Sequence, residues 1–274
     1  MILPRVVSAE ALDHLAAHDP AAQRSRRDLV RIHSLMGTRA MVCSGWQALV
    51  GARRAGAALR ILELGAGDGT LLLGVARALQ PAWPHVQLSL LDRQNIVSVA
   101  ALASYADLGW SVNVEVADVL AWAQPARAEA AARSSGGLDS LAGRPSAPTA
   151  VPAPRWDLIS TTLFLHHFEG AELDALLAAI AARSQRFFAC EPRRAGLALA
   201  ASHLVGAIGA NAVTRQDAGL SVRAGFRANE IAARWPGAGA DWTCREYAAG
   251  LFSHCFSAQR AGAAAGTGAG AGAD

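Results

Sequence analysis

Apolar and polar positions along the chain fall into three regimes. Between residues 8 and 55 apolar residues recur at helical spacing among charges. Ser8–Leu15 reads as a short helix stopped by Asp19-Pro20. Arg24–Met36 and Arg39–Arg53 read as two more, parted near Gly37. From residue 59 onward, short apolar runs alternate with helix-length segments. Leu59–Leu64, Val86–Asp92, Ser111–Asp118, Arg155–Thr162 and Arg186–Glu191 read as strands. Thr70–Leu79, Ile96–Ala106, Ala171–Ala182 and Phe226–Trp235 read as helices. A run such as Leu59, Ile61, Leu62 and Leu64 suits a strand covered on both faces, as in a parallel sheet. Trp242–Tyr247 and Leu251–Ala258, separated by Ala248–Gly250, read as a closing hairpin.

The third regime has no periodicity. In Gln124–Pro154, 21 of 31 residues are Ala, Pro, Ser or Gly, and in Ala261–Asp274 twelve of fourteen are Gly or Ala. Neither buries enough apolar surface to offset the entropy of ordering. The pattern therefore predicts a helical cap over 1–58 and an α/β domain over 59–258. A disordered insertion at 124–154 interrupts that domain, and a disordered tail covers 259–274. Ala195–Thr214 carries no charge over twenty positions, close to the length of a membrane span. It contains Ser202, His203 and Asn211. Leu197, Ala201, Leu204, Val205 and Ile208 form one helical stripe, which predicts a single amphipathic helix over the sheet or the active site.

Composition narrows the partners. A net charge of +3 is too small for a nucleic-acid surface. Cys43, Cys190, Cys244 and Cys255 have no metal-ligand spacing and read as free thiols of a reducing cytoplasm. The start Met1-Ile-Leu-Pro-Arg lacks a signal-peptide pattern, which fits a cytoplasmic protein. Nothing here sets an oligomeric state.

The chemistry centres on the turn after the first strand, Glu63-Leu-Gly-Ala-Gly-Asp-Gly69. A strand, a glycine turn and a helix open a nucleotide-binding α/β unit, and glycine lets a ligand approach bare backbone. The dinucleotide spacing Gly-x-Gly-x-x-Gly fails, because Gly65, Gly67 and Gly69 alternate and position 70 is Thr. Carboxylates at Glu63 and Asp68 would repel a pyrophosphate and suit a cationic ligand with an ammonium and a sulfonium. Asp92 ends the second strand 23 residues beyond Gly69, close to the ~20 at which a carboxylate meets ribose hydroxyls. Asp118 ends the third strand, where it also suits ordinary turn chemistry.

Glu63–Gly69 resembles the glycine motif of class I S-adenosylmethionine-dependent methyltransferases, and the order of elements over Leu59–Ala258 resembles their seven-stranded Rossmann-like fold. That resemblance implies S-adenosyl-L-methionine as cofactor, held by Glu63, Gly65, Gly67, Gly69 and Asp92. It implies Asp118 beside the adenine amino group, Val119 and Leu120 as walls for the ring, and Thr162 at the end of strand four. Asp157–Phe168 is similar to the fourth-strand motif of small-molecule methyltransferases such as those of quinone biosynthesis. The Asn/Asp-Pro-Pro-Tyr/Phe motif of enzymes that methylate base or amide nitrogens is absent. The 195–235 region resembles bacterial methyltransferases associated with type III polyketide or phenolic-lipid pathways. The implied acceptor is a small hydroxylated molecule, phenolic or quinol-like and in some cases lipidic.

A hydroxyl acceptor must lose its proton, and His is the natural base near neutral pH. His166 and His167 sit just past the fourth strand, at the edge where the methyl group would point, and at most one is expected to face the substrate. Their spacing offers no metal site, and the Glu-x-x-Glu-His pattern of a metal-dependent quinone methyltransferase is missing. Arg215, Gln216 and Asp217 suit either substrate contact or a solvated loop. Two other classes compete with methyl transfer: a nicotinamide-dependent oxidoreductase and a non-catalytic module that keeps the cofactor fold.

Overall fold

Leu59, Ile61, Leu62 and Leu64 are all buried in β1 (Leu59–Leu64), and only Arg60 points to solvent. Such a strand needs cover on both faces, and the chain supplies it. The computed structural model describes residues 3–51, 57–124 and 156–262. The expected insertion after Gln124 and the Gly/Ala tail after Gly262 lie outside the described residues.

Seven strands form one sheet in the order β3-β2-β1-β4-β5-β7-β6. The others are β2 (Val86–Asp92), β3 (Trp110–Val116), β4 (Leu158–Thr162), β5 (Arg186–Pro192), β6 (Trp242–Ala249) and β7 (Ser253–Arg260). The first five run parallel, and β7 pairs antiparallel with both β5 and β6. The order reverses between β1 and β4, and ligands of open α/β sheets bind outside the strand C-termini at such a point.

One face is covered by α3 (Thr38–Val50) and α4 (Thr70–Leu79), which bury Val42, Trp46, Leu72, Val75 and Leu79 with Leu59, Ile61 and Phe188. The approach is tight. A methyl at Gly45 would lie 2.1 Å from the Phe188 ring, so only glycine lets α3 sit on β5 there. The other face is covered by α7 (Gly170–Arg183), whose Leu173, Leu176, Leu177 and Ile180 pack with Leu62, Leu64, Ile159 and Phe187. The remaining helices are α1 (Ala11–His14), α2 (Pro20–Met36), α5 (Val99–Asp107), α6 (Val119–Ala123), α8 (Gly196–Ser202) and α9 (Ala212–Ala224).

Three expectations change. Asp19-Pro20 is a start signal: Asp19 accepts hydrogen bonds from Ala21 and Ala22 N–H, and Pro20 opens α2. The single helix expected over 195–214 breaks into α8, a 3-10 turn at Val205–Ile208 and the start of α9, with Gly209 in the left-handed region at φ 83°. Its buried face is the small one, Ala198, Ser202 and Ala210, and Leu197, Leu204 and Ile208 are exposed. Phe226–Trp235 forms a short 3-10 turn rather than a helix, and the helix before the hairpin is α9. Among the described residues no helix is long and apolar enough to cross a membrane.

Candidate functional site

The turn between β1 and α4 puts Gly65, Gly67 and Gly69 at φ 72°, 57° and 72°, conformations that favour glycine at all three. A Cβ at Gly67 would meet nothing within 4 Å, so backbone is open to a ligand there. At Gly65 a Cβ would strike the Phe164 ring at 2.1 Å, so that ring packs directly against the turn. Asp68 accepts from Thr70 N–H at 2.9 Å and so closes the helix start. Asp92 binds Gly67 N–H at 2.9 Å and Gln94 N–H at 2.9 Å, one oxygen to each. Each oxygen keeps a lone pair for a further donor.

Glu63 departs from the expected ligand role. It is 1 % exposed and takes its hydrogen bond from the Ser160 hydroxyl on β4. Burial pushes its carboxyl up to about 7, against opposing hydrogen bonds from Ser160 and Thr162. It braces the strand pair β1–β4, and Thr162 closes β4 beside it. Asp118 caps α6 through Leu120 N–H at 2.7 Å and Ala121 N–H at 3.1 Å, which is the turn chemistry read as its other role. Val119 is buried in the core against Leu62 and Leu91, and the neighbouring Leu120 is partly buried there.

Beyond β4 the backbone is strained. Leu163 is in the left-handed region at φ 55°, a conformation a branched side chain holds only when its surroundings impose it. Its N–H donates to Cys190 O on β5 at 2.8 Å, and a 3-10 turn, Leu165–His167, follows. Glu191, fully buried at the end of β5, holds that turn in place. It accepts from the N–H groups of Phe164, Leu165 and His166 at 3.2, 2.9 and 3.3 Å and from His166 Nδ1 at 2.9 Å.

His166 is therefore not free to act. It is 3 % exposed, and its Nε2 lies 3.3 Å from Glu10 Oε1. Burial disfavours charge on the ring, but Glu10 and Glu191 override it and raise the imidazole to about 9. With a proton on each nitrogen it is a cationic post between two carboxylates. His167 differs. Its side chain is 22 % exposed, and Nδ1 lies 3.2 Å from Asp13 Oδ2. A carboxylate on Nδ1 favours the tautomer whose Nε2 carries the lone pair. The two rings are 4.3 Å apart. Glu10, His166 and His167 bring ligand atoms within 4.8 Å of one another, a spacing that also suits a cation; at neutral pH His166 fills its place there with protons.

The acids facing these histidines, Glu10 and Asp13, come from the N-terminal segment expected as a helical cap, in which the sequence pattern singles out neither residue. Asp217 on α9 accepts from Ala11 and Leu12 N–H, both at 2.9 Å, and Glu10 meets the Ser221 hydroxyl. Across the sheet edge Arg93 pairs with Asp13 at 3.1 Å, and Gln94 Nε2 donates to Leu15 O at 3.3 Å. The segment thus straps the edge between α9 and the end of β2. Asp217 anchors this strap, and the open choice at 215–217 resolves for it to an internal contact.

His33 of α2 also approaches the glycine turn. Burial lowers it to about 4, with Asp68 opposing, so it is neutral.

No protein-family model and no curated protein sequence matches the chain. Solved structures do. The sheet order and crossovers are those of the class I methyltransferase fold. A plantazolicin methyltransferase with SAH bound aligns at TM-score 0.55 and 12% identity, over 89% of this chain and 91% of that one. An O-methyltransferase family protein from Burkholderia thailandensis aligns at TM-score 0.52 and 17% identity, over 89% of this chain and 61% of that one. Human N-acetylserotonin methyltransferase with SAM bound aligns at TM-score 0.52 and 14% identity, over 93% and 60%. This chain spans about three-fifths of the length of those last two proteins. Identities this low speak for the fold.

Proposed function

We propose that this protein is an S-adenosylmethionine-dependent methyltransferase acting on a small hydroxylated acceptor, phenolic or quinol-like. The observation that carries the reading is the pairing of the glycine turn at Gly65–Gly69, open at Gly67, with Asp92. The two meet through the Gly67 N–H at the C-terminal ends of the neighbouring strands β1 and β2, beside the reversal of strand order between β1 and β4. The alternating glycines and the carboxylate of Asp68 inside the turn favour a cationic cofactor over a dinucleotide. The aligned plantazolicin and N-acetylserotonin enzymes, with SAH and SAM bound, support the same cofactor.

The cofactor supplies an electrophilic methyl group on a sulfonium. The residues of this chain hold it, align the acceptor and remove a proton. The glycine backbone and Asp92 are the holding groups, and Asp118 keeps one carboxylate oxygen outside its capping bonds. His167 takes the hydroxyl proton on Nε2, with Asp13 fixing its tautomer, and alignment of the acceptor oxygen supplies the rest of the acceleration. His166 serves as the buried post that sets the turn. The finer assignment, to the kind associated with phenolic-lipid or type III polyketide pathways, rests on the resemblance over 195–235.

Mass spectrometry of the purified protein for retained S-adenosylmethionine or S-adenosylhomocysteine tests the cofactor. Product formation over a panel of phenols, quinols and acyl resorcinols tests the acceptor. Retained nicotinamide cofactor, with no methylated product, favours the oxidoreductase reading instead.

A further inference from the structure

A cavity opens at the same edge of the sheet, beyond the end of β5. It holds about 480 Å³ and is lined by Arg193, Arg227, Asn229, Glu246, Tyr247 and His254 among others. Its charges do not cancel. Glu246 lies in the wall, but both of its carboxylate oxygens already accept hydrogen bonds from partners other than the arginines. One oxygen takes Ile231 N–H at 3.2 Å and His254 Nε2 at 2.8 Å, and the other takes Ala232 N–H at 2.7 Å. Glu230 nearby is chelated by both terminal nitrogens of Arg194.

Arg193 and Arg227 are left over. Arg193 reaches only a carbonyl, Gly250 O at 3.3 Å, and Arg227 bonds through its backbone N–H to Glu230 at 3.1 Å. Neither guanidinium has a carboxylate partner among the described residues. The residue after Arg227 is Ala228, at φ 52°, a second non-glycine residue held in the left-handed region. Strained backbone of this kind gathers at ligand sites.

We propose that Arg193 and Arg227 form a binding site for an oxyanion, a phosphate, sulfate or carboxylate group. The planar fork of a guanidinium matches two oxygens of such a group, and two cations in one cleft raise the local anion concentration. The oxyanion either belongs to the acceptor or is a free ion. The site stands without the methyl-transfer reading, since its residues lie outside the glycine turn and the histidine pair.

The test is calorimetric titration of the full chain with inorganic phosphate and with sulfate, at ionic strength held constant with sodium chloride. Saturable binding is expected, at least tenfold weaker in the R193Q/R227Q double variant. Arg227→Lys should retain part of it, and Arg77→Gln on α4 all of it. Equal affinity in the double variant, or no binding beyond chloride, overturns the proposal. A melting curve for each variant separates loss of the site from loss of the fold. To assign the source, a hydroxybenzoate and a plain phenol are offered as acceptors. A rise in KM confined to the hydroxybenzoate in Arg227→Gln places the oxyanion on the acceptor. Phosphate binding with no such selectivity assigns the site to a free anion.

Discussion

His166 Nδ1 donates to Glu191 Oε2 across 2.9 Å at the end of β5. The same ring faces Glu10 from its other nitrogen, so one buried imidazolium ties the N-terminal strap to the sheet. Removing one partner from a buried pair leaves the others uncompensated. His166→Ala should therefore destabilise the protein by about 3–5 kcal/mol, read as a shift in the urea midpoint. Wild-type stability in that variant would show that the post carries no load.

The pH dependence follows from two groups. His166 is raised to about 9 in the folded state, above its ordinary 6.5. Its contribution is complete below pH 6.5 and is lost as pH rises through 9. Glu63 is raised to about 7 from 4.5, so the folded chain holds a proton that the unfolded chain releases. Its share of stability falls as pH rises from 4.5 through 7. Both slopes have the same sign. Glu63→Gln, which resembles the protonated acid, should flatten the lower part of the profile and gain stability relative to wild type at pH 8. Urea midpoints measured across that range check this, and parallel profiles would contradict it.

Catalysis should separate the two histidines. A positioned base contributes ~10²–10⁴ in rate. His167→Asn is expected to lower turnover by at least ~100-fold, while affinity for S-adenosylhomocysteine changes by less than ~1 kcal/mol. Asp13→Asn should lower turnover less, because His167 Nδ1 then loses the carboxylate 3.2 Å away that fixes its ring and tautomer. If His167→Asn keeps near-wild-type turnover, the base lies elsewhere, and neutral His33 beside the glycine turn is the next residue to replace.

The sheet was legible in the sequence because buried parallel strands read as continuous apolar runs, and Leu59–Leu64 and Val86–Asp92 have the bounds the pattern set. The glycine turn was legible because its requirement is local. The helices around 195–235 were not. There the pattern offered a large-residue stripe, but the helix gives way to a 3-10 turn ended by Gly209 in the left-handed region, and the face that packs is made of Ala198 and Ser202. Glu10 and Asp13 were missed for another reason. Acids in a short N-terminal helix resemble any solvated face, and only the tertiary fold brings them to His166 and His167. Glu191 stood visibly at the end of a strand, but its four contacts depend on the strained turn at Leu163.

Asp92 joins the end of β2 to the glycine turn, and its replacement should be felt at the cofactor. Asp92→Ala is expected to weaken S-adenosylhomocysteine binding by roughly 1.5–3 kcal/mol, the range for losing a charged hydrogen-bonding partner. The same variant should show a modest fall in melting temperature, because Gly67 N–H loses its acceptor.

The central claim is the identity of the cofactor, and calorimetric titration of the full chain tests it most directly. Saturable binding of S-adenosylhomocysteine, abolished or strongly weakened in Asp92→Ala, with no heat from NAD, is the predicted result. Binding of NAD with none of S-adenosylhomocysteine would contradict it.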